Sequence, residues 1–517
     1  MTTDNPNRKW FTLFAMCFGL FMIMLDNTVV NVALPSIQRE LDTTPSNLEW
    51  VINAYTLSFA ALILFGGKLG DRFGRKRLFL DGLAVFTATS AWCALATTDT
   101  GLIWARAAQG VGGAIMNPLS LSILVATFPR KQLPMAIGIW AGISGLGLAV
   151  GPIVGGFLVD SVGWAAVFWI NVPIGVIAAV VTLMAVDESR DPSATTIDVV
   201  GTVLITAGLF LLTFGLIETN SHSWTSPFIV SLLVGALVTI AVFVLWESRV
   251  AEPMIPLEFF RRRVFTISSI VVALVGLAMF GVIYFITLYF QNVKGYSALE
   301  AGARSLPMTM MLMVVAPVAG RLNGTKVSPR ALMTVGMLAA SAGLLGLAQL
   351  DVDSSYHAIW PFYVLMGIGL ALTMPAVSTA GMGAVHPSKA GIASGVINAA
   401  RQTGGALGIA ILGAVGARLT IASWGDAAAG LPDSLAARAA ELEELVVGAR
   451  GDQIAQLAGP GAREAALASF MEGVQGAMYV GSGLTLLAAV FAAVGLAGLR
   501  AQPLAGERER AAVPAEL

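Results

Sequence analysis

Two ionisable side chains stand where an apolar chain should carry none. Asp26 lies late in a first hydrophobic run, within Leu25-Asp26-Asn27-Thr28-Val29-Val30-Asn31-Val32-Ala33-Leu34-Pro35, and Arg106 lies in Leu102-Ile103-Trp104-Ala105-Arg106-Ala107-Ala108-Gln109-Gly110. An ionised carboxylate facing lipid there costs on the order of 3 kcal/mol, so Asp26 must face protein or water. A buried acid that gains and loses a proton is what coupling to a proton gradient needs. The other role open to it is structural, as a carboxylate held by neighbouring Asn and Thr groups. If the two runs are antiparallel spanning helices, Asp26 and Arg106 reach similar depth, and the cation can hold the acid ionised until substrate or water intervenes. Arg106 can also snorkel toward the outer interface. Gln109, one turn on, can donate to a substrate or only tie helices together. Asn27 and Asn31, with Arg401 and Gln402 in Asn398-Ala399-Ala400-Arg401-Gln402-Thr403-Gly404, complete a candidate polar lining of a substrate cavity. Arg401 is too deep in its run for easy snorkelling and should face an internal cavity or an acid.

A second group of charges is compressed into Gly67-Lys68-Leu69-Gly70-Asp71-Arg72-Phe73-Gly74-Arg75-Lys76-Arg77-Leu78, between two long apolar runs. A cationic knot of this kind marks a cytoplasmic turn of a multi-spanning protein, because Lys and Arg resist translocation. Asp71 stands at the C-terminal end of the preceding run, where a helix dipole disfavours an anion by about 0.3–1 kcal/mol unless a partner compensates. Arg72, Arg75, Arg77 or the positive end of another helix can be that partner. Gly67, Asp71, Arg72, Gly74 and Arg75 then form either a latch that holds the cytoplasmic side shut in one state or a static cap on the turn. Asp81 is expected to pair with these arginines. Farther on, Gly147, Gly151 and Gly155 make one side-chain-free face beside Pro152 and Gly156. That face suits a moving seal between two halves, or simple close packing.

The elements that position these residues follow from composition. The 517 residues are 56% hydrophobic and 12% charged, against about 25% charged in soluble domains. With no water in the bilayer to satisfy the backbone, the runs must be helices, and windows of about 20 apolar residues place fourteen of them. They fall near 10–32, 48–69, 78–97, 101–127, 134–159, 163–186, 198–218, 226–246, 264–290, 301–322, 331–350, 357–382, 391–416 and 476–499. Most of the 30 Lys and Arg then lie on one side, which puts both termini in the cytoplasm. Cys17 and Cys93 fall inside helices and are expected to be free thiols. No basic face remains for nucleic acid, and no cofactor or metal site is indicated.

The division expected is a six-helix block over 1–190, an inserted apolar helix pair over 191–255, and a second six-helix block over 256–517. The last block holds a long external loop at 417–475, with Ser434 to Val447 amphipathic and helical. That loop is expected to be a solvated cap, with substrate gating as the other possibility. A faint repeat, Gly320-Arg321-Leu322-Asn323-Gly324 through Arg330, follows the tenth helix much as the 67–78 knot follows the second. Paired halves of this kind build central transport sites.

Together these stretches resemble the major facilitator superfamily, and within it the fourteen-helix drug:proton antiporters. The 67–78 segment is similar to the family's motif A, Leu102 to Ala114 to its motif B, Gly147 to Gly156 to the antiporter motif C, and Leu25 to Pro35 to an acid-bearing first-helix motif. The resemblance implies two bundles that alternate access, proton-driven export of amphipathic or hydrophobic compounds across the plasma membrane, Asp71 as a gating latch and Arg106 in proton handling. Helices 10 and 13 lack the extra acids of relatives that take divalent cationic drugs. The chain contains no G-x-x-x-x-G-K-[ST] segment, which argues against an ATP-driven pump. A transporter of one metabolite and a non-transporting receptor or scaffold are the rival expectations. The substrate's identity and any periplasmic adaptor are not legible in the residues.

Overall fold

The computed structural model describes residues 7–43, 45–129, 131–191, 198–219, 222–250, 253–323, 326–429 and 439–497. Gly324 and Ser434, which carried expectations above, lie outside them. The described residues are helical apart from turns, short connections and an isolated bridge between Asn323 and Val327.

The first half runs through α1 (Arg8–Glu40), α2 (Pro45–Phe73), α3 (Arg75–Ala94), α4 (Asp99–Thr127), α5 (Leu133–Ser161), α6 (Ala166–Trp169) and α7 (Asn171–Ala185). A hairpin follows, α8 (Val199–Glu218) and α9 (Pro227–Glu247), then the short α10 (Glu258–Arg261). The remainder is α11 (Arg263–Leu288), α12 (Ala298–Leu322), α13 (Pro329–Leu347), α14 (Tyr356–Gly383), α15 (Ala390–Ala428), α16 (Ala439–Val447), α17 (Gly451–Ala458) and α18 (Pro460–Gly495). Each expected segment has its helix. Among the described residues 13 spans are long and apolar enough to cross a membrane, one of them running through α6 and α7. The fourteenth expected span, α3, has 20 residues but falls short in apolar content, since Arg77 and Asp81 occupy its first half.

Packing is by close backbone approach. α5 lies along α12, where Gly138 meets the Ala316 carbonyl and Gly320 meets the Pro134 carbonyl. α2 lies along α15, with Gly67 against the Gly391 carbonyl. The α8–α9 hairpin packs on α2 and α15. Without a hydrophobic drive between helices in lipid, contacts of this kind hold spanning bundles together.

Two expectations need correction. The stripe Gly147, Gly151 and Gly155 faces Met24, Thr28 and Val29 of α1, not a second block, and Gly156 has open space around it. The face of α5 turned to α12 carries Gly138, Gly142, Gly145 and Pro152 instead, the last against Gly302. The stripe repeats every four residues, but helix direction decides which neighbour it meets. The second correction concerns 417–475, whose described residues are mostly helical and not a loop. α15 and α18, of 39 and 36 residues, outrun the roughly 20 needed to span. Their projecting ends pack with α16 and α17 around Trp424, Leu442, Val446 and Ile454. Trp424 Nε1 donates to the Ala439 carbonyl at 3.0 Å, and Asn292 Nδ2 ties the cap to the end of α11 through the Gly448 carbonyl at 2.8 Å.

Gly151→Ala is expected to lower the thermal midpoint of the purified protein, because its methyl would collide with the Thr28 side chain, an overpacking cost of about 1–3 kcal/mol. Gly156→Ala, with nothing nearby, should leave the midpoint unchanged or raise it through helix propensity. Equal effects in a melting assay would contradict the packing described.

Candidate functional site

Asp26 is fully buried at the meeting point of α1, α3, α4 and α7. Arg106 Nη1 donates to its Oδ2 at 2.6 Å, while Gln109 Nε2 and Asn171 Nδ2 donate to Oδ1 at 2.9 and 2.8 Å. Arg106 is fixed in turn. Its Nη1 also donates to Gln109 Oε1 at 2.6 Å, its Nε donates to the Val51 carbonyl at 3.1 Å, and its guanidinium carbon lies 4.4 Å from the Tyr55 ring centroid. Ser90 Oγ accepts from Gln109 Nε2 at 2.7 Å and from Asn171 Nδ2 at 3.2 Å. An ion pair taken out of water is tolerable only when its remaining hydrogen-bonding capacity is met, and here Gln109 of α4, Asn171 of α7 and the Val51 carbonyl of α2 meet it.

Asn171 was not singled out from the sequence. It reaches the acid because Pro173 cannot donate to the Trp169 carbonyl and its ring clashes with it. The helix breaks at Ile170, between α6 and α7, and Asn171 opens the second piece inside the bundle. An Asn two residues before a Pro in an apolar run was the available signal. Ser90 gave none, since a single serine in a helix is common. The Asn171 Oδ1 and the Tyr55 hydroxyl are buried beside this network without partners.

The second centre is at the end of α2. Asp71 Oδ1 accepts from Arg75 Nε and Nη2 at 2.9 and 2.7 Å and from the Gly391 amide at 2.9 Å, and Oδ2 accepts from the Ile392 amide at 2.8 Å. The carboxylate therefore sits on the positive N-terminus of α15. Arg75 continues across, its Nη2 donating to the Pro387 and Ser388 carbonyls at 3.0 and 2.6 Å. Gly74, at φ +109°, makes the turn that brings Arg75 back over Asp71. Of the partners considered for Asp71, Arg75 and the helix end both serve. Arg72 stacks on Phe73 instead, and Arg77 gives its backbone amide to Glu188. Asp81 is exposed and forms no ion pair among the described residues, which corrects the expected pairing. Lone exposed carboxylates are well solvated, so nothing forces a partner on it.

The model of the Major Facilitator Superfamily matches residues 16–409. The chain belongs to that superfamily. It is 39% identical over 407 residues to the tetracenomycin C resistance and export protein of Streptomyces glaucescens, covering 78% of this chain and 76% of that one. It is 37% identical over 404 residues to the methylenomycin A resistance protein of Streptomyces coelicolor, covering 78% and 84%. A solved structure of the proton:xylose symporter XylE superposes with a TM-score of 0.61 at 12% identity, over 94% of this chain and 95% of that one, which shows the shared fold. The protein is a multi-pass membrane protein of a transport superfamily.

Other residues expected at the superfamily site are placed apart from Asp26. Asn27 and Asn31 point off a neighbouring face of α1, and their amides donate to the Ile23 and Asn27 carbonyls at 2.8 and 3.0 Å. Asn31 is exposed and Asn27 half-buried, as are Arg401 and Gln402 on α15. Gln109 alone of the proposed cavity set joins the acid. The sequence also gave no hint of the contacts around Lys68. Its Nζ donates to the Pro253 carbonyl at 3.2 Å, while the buried Glu247 accepts the Met254 and Ile255 amides at 3.1 and 3.2 Å.

Arg106→Gln is expected to destabilise the purified protein strongly, since stripping one partner from a buried pair costs about 3–5 kcal/mol. Adding Asp26→Asn should recover part of that loss. A double-mutant cycle read by thermal melts checks this, and strict additivity would mean that the two side chains are not energetically coupled.

Proposed function

We propose that this superfamily member exports amphipathic or hydrophobic compounds across the plasma membrane in exchange for protons, by alternating access, with both termini in the cytoplasm. The observation that carries the reading is the buried Asp26 carboxylate, held by Arg106, Gln109 and Asn171. A carboxylate at that depth defaults to function, and its partners are all side chains that can exchange places with water. Relatives named for resistance and export support the choice of cargo. In this reading 1–190 and 256–517 are the two rocking bundles and 191–255 is the inserted pair. Gly67, Asp71, Arg72, Gly74 and Arg75 belong to the cytoplasmic latch, whose bonds to α15 hold that side closed. Protonation of Asp26 loosens its hold on Arg106, and release of the proton restores it. Inward proton movement supplies roughly 2.3 kcal/mol per charge per 100 mV, enough to drive a substantial gradient of a neutral compound.

The test is a vesicle experiment with a pH step in either direction and a panel of fluorescent amphipathic dyes. The parent should move dye opposite to the proton step, and Asp26→Asn should not. Dye movement indifferent to the step would overturn proton coupling. Absence of any dye movement, with one nutrient carried instead, would establish the single-metabolite reading.

Asp71→Asn is expected to leave dye movement in the same direction but at least tenfold slower, since it weakens a contact that must form and break in each cycle. An unchanged rate in the same assay would reduce Asp71 to a cap on its turn.

A further inference from the structure

Among the described charges deep in the spanning helices, Arg401 is the one without a counterpart. Asp26 has Arg106, Asp71 has Arg75, and Glu247 is met by two backbone amides. Arg401 forms no ion pair, and its recorded side-chain bond is a long one, from Nη2 to Asn398 Oδ1 at 3.4 Å. It stands eleven residues into α15, roughly 16 Å from the Asp71 end at 1.5 Å per residue. That is near the middle of a hydrocarbon layer about 30 Å thick, too deep to snorkel. Its neighbours on the same face of α15, Ile397, Asn398, Gly405 and Gly408, are buried, while Arg401 itself is half-buried. It therefore borders an internal space rather than lipid.

We infer that Arg401 recognises an acidic group on the substrate, so that the preferred cargo is an amphipathic compound bearing a carboxylate or comparable oxyanion. The inference rests on the exporter reading above. A guanidinium presents a planar fork that fits a carboxylate with two parallel bonds. An anionic ligand would supply the charge that Arg401 lacks, whereas a cationic one would meet repulsion with no acid to offset it. Asp26 cannot serve such a cation, being enclosed and already paired. The membrane potential, negative inside, also favours outward movement of an anion.

The experiment uses one fluorescent scaffold in three forms, a carboxylate, its methyl ester and a trimethylammonium analogue, with the parent, Arg401→Gln and Arg401→Lys. Binding to purified protein is read by fluorescence polarisation, beside pH-driven movement in vesicles, and each variant is first checked by thermal melting. The parent should bind the carboxylate at least tenfold more tightly than the trimethylammonium form. Arg401→Gln should lose that preference while keeping the ester, and Arg401→Lys should keep part of it. A parent that prefers the cation, or an Arg401→Gln that weakens all three forms alike, would overturn the inference. Arg401-dependent binding of the carboxylate without pH-driven movement would uphold it and overturn the exporter reading instead.

Discussion

A charge carried into the hydrocarbon depth of a membrane must be matched by the protein, since lipid offers it neither counterion nor hydrogen bond. Much of this fold is arranged around meeting that demand. The Asp26 carboxylate draws α3, α4 and α7 to α1 through Ser90, Arg106, Gln109 and Asn171. The Asp71 carboxylate draws the start of α15 to the end of α2. Glu247, at the end of α9, holds the two backbone amides that follow Pro253. Each solution uses a different source of positive potential: a guanidinium with amides, a guanidinium with a helix N-terminus, and backbone donors alone.

The two centres differ in what they join, and that difference separates their roles in the proposed cycle. Every group around Asp26 comes from the first block, so relative motion of the blocks leaves the shell intact. Such a site responds to a proton or to local water, not directly to rocking. The groups around Asp71 come from α2, α3 and α15, so separating α2 from α15 must break two amide bonds to the carboxylate and the Arg75 bonds to Pro387 and Ser388. Hydrogen bonds to charged groups contribute about 1.5–3 kcal/mol each, a scale suited to a contact that must hold in one state and yield in another. In the proposed cycle a coupling centre and a gate are thereby kept apart, and the helices between them would transmit the signal.

How much of this was legible depended on whether one residue carried the information or two elements had to meet. Asp26 and Arg106 declared themselves, because charge in an apolar run is rare and antiparallel helices fix relative depth. The helix positions were equally plain, since backbone satisfaction in lipid admits few solutions. Asn171 was hidden, as its importance comes from the break at Ile170 and from a neighbour far away in sequence. The Gly147 stripe was visible as a stripe, but its facing partner depends on the rotation of α5 about its own axis. The segment 417–475 looked like a loop because its hydropathy falls, and hydropathy reports the solvent, not the backbone. Its Ala, Leu and Glu content favours helix in water as well.

The α8–α9 hairpin is more than a spacer between two blocks, because both of its connectors are bonded to the same basic turn. On one side the Arg75 amide donates to the Ser189 carbonyl at 2.9 Å and the Asp191 amide donates to the Asp71 carbonyl at 2.7 Å. On the other, Lys68 holds the Pro253 carbonyl, and Glu258 of α10 pairs with Lys389 just before α15 at 3.3 Å. The hairpin also packs along α2 and α15, the two helices that the Asp71 contact joins. If α2 and α15 part at that end, the connectors cannot both stay in place, since one is bonded to the α2 turn and to Arg8 of α1 and the other to both sides. The second connector must then yield at Lys68 or at Lys389. The Lys389 pair is solvent-exposed and contributes little, whereas Lys68 is half-buried and its connector is clamped by Glu247. The weaker link is therefore the one to α15, and in the proposed cycle the inserted hairpin would stay with α2.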